Sequence, residues 1–270
     1  MDLQLTNKVA LITGAGQGVG REIAKVLASE GAKVVVNDLF SDRCEAVAKE
    51  ITDMNGAAIG IQADVTDIEQ VKSMVSRASE NFGPVDILVN NAGIPPEVYT
   101  GKVGYKDFAG ESYESWKKVI DLNLYGCFYC THTVLGSMIE RQEGKIISII
   151  SEAGRIGERF LAVYSGAKAG ILGFSKALAR EVGRYRINVN CIAIGATAHE
   201  GTKPFMDPDA TPEKDPNLNK TLKVYPIGKG LGRIGRPSDA AAAVAFLVSS
   251  KAVFITGQCL SVSGGFSMVS

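Results

Sequence analysis

The chain has 270 residues, 46% of them hydrophobic, with 29 basic and 29 acidic side chains and a formal net charge of +0. That length and apolar content suffice for one large core over residues 1–270, and the balanced charge provides no global field or basic run to recruit nucleic acid. No apolar stretch is long enough to span a bilayer, and no cationic-then-apolar leader opens the chain, so the expectation is a cytoplasmic protein whose partner is a small molecule rather than a membrane.

The first apolar run, Val9-Ala10-Leu11-Ile12, breaks into Thr13-Gly14-Ala15-Gly16-Gln17-Gly18-Val19-Gly20 and continues as a helical pattern from Arg21. A strand, a glycine turn and a helix start together present unpaired backbone N–H groups and the positive end of a helix dipole, which suits a pyrophosphate. The spacing of Gly14, Gly18 and Gly20 is G-x-x-x-G-x-G, not the commoner G-x-G-x-x-G, and such a turn taken alone also serves plain chain reversal. A second run, 33–37, ends at Asp38. A carboxylate there accepts from both adenosine ribose hydroxyls and repels a 2′-phosphate, so NAD is expected over NADP. Neither Arg43 nor the uncharged Gln17 makes an evident phosphate clamp.

Further β-branched runs at 57–63, 87–90, 145–150, 187–192 and 259–262 alternate with helical stretches. Continuous apolar strands covered on both faces and joined by helical crossovers predict a doubly wound α/β fold, a single parallel sheet of about seven strands. Two stretches depart from compact spacing: 94–113, rich in Gly, Pro and Tyr, and 196–235, with five prolines; both read as substrate loops. Five scattered cysteines read as reduced core thiols, the Cys127/Cys130 pair included, and His132 and His199 are too few and too isolated for a metal site, so no metal is expected.

Beyond the run ending at Ile150 come Ser151 and then Tyr164-Ser165-Gly166-Ala167-Lys168 at the head of a helical pattern. Four residues apart, Tyr164 and Lys168 share a helix face. A phenol with an ordinary pKa near ~10 is a poor base at neutral pH, but a neighbouring ammonium favours the phenolate. Ser151 supplies a hydroxyl to hold a substrate oxygen. In isolation the pattern also describes an ordinary surface pair.

Taken together these motifs resemble the short-chain dehydrogenase/reductase family along essentially the whole chain. Residues 13–20 resemble its cofactor turn, Asn90-Asn91-Ala92-Gly93 its strand-four motif, Ser151, Tyr164 and Lys168 its catalytic trio, Asn123 its fourth catalytic position, and Val262-Ser263-Gly264-Gly265 its C-terminal glycine pair. The resemblance implies hydride transfer between a secondary alcohol and its ketone. Tyr164 would exchange the proton, and Lys168 would lower the phenol pKa and bond the nicotinamide ribose. Asn123 would position a relay water, and Ser151 would orient the substrate oxygen. It also implies cofactor contacts from Gln17, Val19, Asp64, Val65 and Asn91, and a homotetramer built in part from helix faces around Leu122, Leu124, Phe128, Ile171, Leu172 and Phe174.

The chain departs from the family after the sixth strand. Ile194 stands where proline is usual, and His199 falls at the threonine that meets the carboxamide; Thr197 is the nearby hydroxyl able to reach that group. Apolar side chains of the two long segments, Val98, Tyr99, Phe108, Phe205 and Met206, with Ile156 and Phe160, are expected to wall the substrate site. They favour a cyclic or aromatic alcohol, or a hydroxyacyl thioester, over a very small alcohol. The competing reading is a cofactor-binding partner subunit or sensor that keeps the fold with little turnover.

Overall fold

A computed structural model describes residues 1–95, 107–203 and 206–269 of the chain. Within them run β1 (Val9–Ile12), β2 (Lys33–Asp38), β3 (Ala57–Gln62), β4 (Ile87–Asn90), β5 (Gly144–Ser151), β6 (Ile187–Ile194) and β7 (Cys259–Val262), all parallel in the order β3-β2-β1-β4-β5-β6-β7. The helices are α1 (Gly18–Ser29), α2 (Ser41–Asp53), α3 (Ile68–Phe82), α4 (Tyr113–Ile120), α5 (Gly126–Arg141), α6 (Ala153–Ile156), α7 (Ala162–Val182), α8 (Pro216–Leu222), α9 (Pro226–Leu231) and α10 (Pro237–Val248).

The apolar strands follow from two buried faces. Ile12, Val34, Val36, Val89, Ile147 and Ile192 pack against Ile23 and Leu27 of α1, Val47 and Ile51 of α2 and Val244 and Val248 of α10. Their alternates Leu11, Val35, Leu88, Ile146 and Val189 pack against α3, α5 and α7 through Val71, Met74, Val134, Met138 and Leu178. Each fully buried Val, Leu or Ile contributes about 1.5–3 kcal/mol by leaving water, so strands lacking a polar alternation are what this layering selects. β1 pairs with β2 on one side and β4 on the other, which makes the carboxyl ends of β1 and β4 the switch point where ligands bind in such sheets.

β5 and β6 run longer than their apolar runs. They pair over eight residues, ending with Ser151 opposite Ile194, and Ile194 also pairs with Val262. Proline has no N–H to give a ladder, so isoleucine at this position lets β6 continue to the rim of the site.

The 196–235 segment is more regular than its prolines predict. Pro216 and Pro226 each sit in the first turn of a helix, where a missing N–H costs nothing, and Asp215 caps α8 by accepting from Asn217 N–H. Ala198, Leu218, Leu222 and Ile234 form a small core of their own, against which Met206 packs; Met206 is therefore a buttress of this segment. A bidentate Arg233–Asp239 pair, 2.7 and 3.0 Å, ties its end to α10. Of the other wall residues, Phe108 is exposed and stacks on Trp116 at 4.7 Å, while Val98, Tyr99 and Phe205 lie outside the described residues. Ile171 is buried in a core cluster, with Leu124, Phe128, Leu172 and Phe174 partly buried against it, so Ile171 is removed from any outward helix face.

Candidate active site

The glycine turn is shaped by close approach. Gly14 (φ +60°) and Gly18 (φ +56°) adopt left-handed backbone, and a Cβ on Gly20 would lie 2.5 Å from both Asn91 Nδ2 and the Gly14 carbonyl. Asn91 braces the turn by donating from Nδ2 to the carbonyls of Thr13 and Gly14, 2.9 Å each, and Thr13 Oγ1 accepts from the N–H groups of Asn91 and Ala92. α1 then starts with no side-chain cap from Gln17 and no acidic residue in its first turn, while Val19 tucks its side chain against the core. Uncapped N–H groups at the end of a helix dipole, above glycines that leave no room for side chains, fit a dinucleotide pyrophosphate.

Asp38 closes the far side of the turn. Its Oδ2 accepts from Gly16 N–H at 3.0 Å and its Oδ1 from Phe40 N–H at 3.2 Å, so the carboxylate is held at the end of β2 with lone pairs left over. A Cβ on Gly16 would sit 2.7 Å from Asp38 Oδ2, which makes Gly16 part of the site although the spacing pattern passes over it. Asn37 Nδ2 donates to the carbonyls of Ile61 and Ala63, drawing the end of β3 alongside, and there Asp64 Oδ1 accepts from Thr66 N and Oγ1 while Val65 is buried against Gly126. Arg43 stacks on Phe40 beside this edge, 4.5 Å from guanidinium to ring centroid.

On the other side of the switch point, Ser151 is the last residue of β5, and its Oγ accepts from Ala153 N–H at 3.1 Å. Tyr164 and Lys168 lie on the first turns of α7, with Lys168 Nζ 5.6 Å from the Tyr164 ring centroid. Lys168 is buried and donates to the Ile149 carbonyl at 2.9 Å; burial pushes its pKa down from 10.5 to about 8. Asn123 sits in a wide π-type turn, Asp121–Tyr125, between α4 and α5 and donates from Nδ2 to the Val119 carbonyl at 3.0 Å. A Cβ on Gly93 would be 2.8 Å from both Asn123 Oδ1 and Lys168 Nζ, so the two side chains converge over this glycine. Asn123 Oδ1 and Asn90 Oδ1 are buried without hydrogen-bond partners, and both residues line a cavity of about 10 Å³ together with Lys168, Ser148 and Thr13. That volume is near the lower bound for one water.

The segment beyond β6 brings a different residue to the turn than expected. Thr197 Oγ1 donates to the Gly195 carbonyl, and its backbone bridges to Gly235. His132 is exposed, whereas His199 is half-buried with its imidazole against Gly18. The four cysteines other than Cys259 are buried, all five are free, and burial raises the pKa of each. Among the described residues no cluster fit to hold a metal is present, and no helix is long and apolar enough to cross a membrane.

The family pattern described as short chain dehydrogenase matches residues 8–209. The chain belongs to the short-chain dehydrogenase family. Over 266 residues it is 37% identical to a 3-oxoacyl-[acyl-carrier-protein] reductase of Synechocystis sp., covering 98% of both chains. It is 38% identical over 264 residues to the (2S)-[(R)-hydroxy(phenyl)methyl]succinyl-CoA dehydrogenase subunit BbsD of Thauera aromatica, again over 98% of each. Among solved structures, a 7α-hydroxysteroid dehydrogenase complexed with NADH and 7-oxo glycochenodeoxycholic acid matches with a TM-score of 0.86 at 33% identity, over 98% of this chain and 96% of that one. The family is one of oxidoreductases on a doubly wound α/β fold, in agreement with the expectation from the motifs.

Proposed function

We propose that this short-chain dehydrogenase is an NAD-dependent enzyme, folded as one domain over residues 1–270, that interconverts a secondary alcohol and its ketone. The observation that carries the reading is the convergence of Lys168 and Asn123 over Gly93, one helical turn from Tyr164, with Ser151 ending β5, the strand whose Ile149 carbonyl Lys168 bonds. When bound, NAD supplies the acceptor for the hydride of the carbinol carbon. Tyr164 accepts the hydroxyl proton in oxidation and returns it in reduction, and the Lys168 ammonium favours the phenolate. Ser151 holds the substrate oxygen and steadies charge developing on it. Asn123 and Lys168 border a cavity near the size of one water, where Asn123 would position the water that relays the proton. Asp38 supports the NAD preference, since a fixed carboxylate at the ribose edge repels a 2′-phosphate.

A hydroxyacyl thioester is the substrate class we favour, with a bulky or aromatic acyl group, because two of the relatives are named for acyl groups carried on acyl-carrier protein or coenzyme A, the second of them bearing a phenyl group, and the third is named for a hydroxysteroid. Nicotinamide absorbance with NAD or NADP, read across a panel of 3-hydroxyacyl thioesters, cyclic and aromatic secondary alcohols and small alcohols, tests the proposal. Turnover of the larger substrates with NAD supports it; tight NAD binding with no turnover on the whole panel favours the partner-subunit reading, to which the word subunit in the Thauera relative's name lends a precedent.

A further inference from the structure

The ladder of the sheet runs out just beyond β6, and a side chain takes it over. Ile194 pairs with Ser151 on one side and Val262 on the other, and Gly195 N–H still reaches the Val262 carbonyl at 3.3 Å. By the level of Ala196 both flanking strands have turned off, β5 into α6 and β7 through Gly264 (φ +57°) and Gly265 (φ +84°), whose left-handed backbone suits glycine. A backbone amide left there still needs an acceptor, and Tyr225 Oη supplies it, accepting from Ala196 N–H at 2.9 Å.

The phenol is held in place by its surroundings. Tyr225 is buried, stands immediately before Pro226 at the start of α9, and stacks its ring on Phe266 at 5.0 Å with 13° between the planes. Gly195 leaves the room that the ring needs, since a Cβ there would be 2.9 Å from Tyr225 Cε1. Ile227 N–H donates to the Gly264 carbonyl at 3.1 Å, which fastens α9 to the turn that follows β7. Burial raises the pKa of the phenol above its ordinary value, so at neutral pH Tyr225 remains a hydroxyl and is no second base of the Tyr164 kind.

Around the amide that Tyr225 holds, the Ala196 carbonyl accepts from Gly235 N–H at 3.0 Å, Ala198 N–H donates to the Gly235 carbonyl at 2.9 Å, and Thr197 Oγ1 donates to the Gly195 carbonyl at 3.1 Å. Thr197 therefore stands on backbone pinned on one side by the phenol and on the other by Gly235, three residues beyond the Ile194 that pairs with Ser151. We propose that Tyr225 is a positioning residue for the nicotinamide end of the cofactor: by holding Ala196 N–H it places Thr197, the residue that would meet the carboxamide. The proposal rests on reading the site as that of a nicotinamide dinucleotide.

Calorimetric titration of the full chain with NADH and with ADP-ribose, which lacks the nicotinamide, tests this with Tyr225→Phe and Phe266→Leu. Tyr225→Phe keeps the stacked ring and loses only the acceptor for Ala196 N–H. It is expected to weaken NADH about three- to tenfold, as suits one hydrogen bond, and to leave ADP-ribose affinity unchanged. Phe266→Leu keeps the acceptor and loses the stack, so its NADH loss should be the smaller. A merely structural tyrosine would weaken both ligands alike. Equal losses of NADH and ADP-ribose in Tyr225→Phe, or no loss of either, overturn the assignment, as does a larger NADH-specific loss in Phe266→Leu. Absence of NADH and ADP-ribose binding by the unmutated chain overturns the dinucleotide reading together with the assignment, and it is told apart from the other failures because it shows before any substitution is made.

Discussion

Asp38 has two tasks that pull on the same atoms: its oxygens anchor the turn through Gly16 and Phe40, and its charge selects the ribose. Asp38→Ala should narrow the difference between NAD and NADP affinities and weaken NAD outright, whereas Asp38→Asn, which still accepts from Gly16, should narrow the difference with the smaller loss. Titration of both cofactors against both variants checks this, and equal affinities in the unmutated protein would sink it. Tyr164→Phe keeps the ring and removes the proton carrier, so turnover should fall by about 10²-fold or more with cofactor binding retained; near-normal turnover would place the proton acceptor elsewhere. Lys168 carries a pH signature. Its folded pKa is depressed to about 8 from 10.5, so across that window the unfolded chain holds a proton that the folded chain has lost, and stability from this group rises with pH there and is lost as pH falls through about 8. The buried thiols act oppositely at high pH, because their folded pKa values are raised. The Lys168 contribution therefore shows in the difference between the wild type and Lys168→Met in denaturant titrations, with the wild type gaining on the variant from pH 8 to 10. That Tyr164 and Lys168 share a helix face was legible in the sequence because a four-residue spacing along one helix is local information; Ser151, at the end of β5, joined them only through the family resemblance. The approach of Asp38 to Gly16, the convergence of Asn123 and Lys168 over Gly93 and the place of His199 against Gly18 were not legible there, since each joins chain segments distant in sequence.

At the level of elements, the segment after β6 is a small folded unit with its own core, tied back by Arg233 and Asp239. Its prolines read as breaks because a one-residue inspection cannot distinguish a helix interior from a helix first turn; the caps that follow from Asp215 and the apolar spacing of Leu218 and Leu222 carry that information. Leu222 is buried here, so Leu222→Ala should open this unit locally, with faster amide exchange over 206–235 and little change over β1 to α1. Equal acceleration in both regions would mean that the segment does not move as a unit. Lys203 is paired with Asp207 and Asp209 at 4.0 and 3.7 Å on the exposed surface of this segment, pairs that contribute little to its stability.

For the molecule as a whole, the layering of helices on both sheet faces was readable from apolar runs, because strands buried twice leave no other pattern. Assembly was not, because outward faces share their residue types with the core. β7 is an edge strand with Leu260 exposed, and Phe254 and Met268 stand out into solvent nearby. A homotetramer that covers this edge is expected to give a light-scattering mass of four times 28.6 kDa at micromolar concentration, and Leu260→Asp to shift it to smaller species. A stable monomer in the unmutated protein would count against it.

The wide turn at Asp121–Tyr125 sets the phase between two helices. In an uninterrupted α-helix each residue advances the face by about 100°, so the extra residue gives α4 and α5 independent bearings: α4 presents Trp116, which stacks on Phe108, and α5 turns Val134 and Met138 to the sheet. Deleting one residue here would leave composition and hydrophobicity almost untouched, yet it would swing α4 by about 100°, a little over a quarter of a turn, and withdraw Asn123 from Gly93. At this site the length of the chain is itself a functional variable, and a one-residue indel would do more harm than most substitutions.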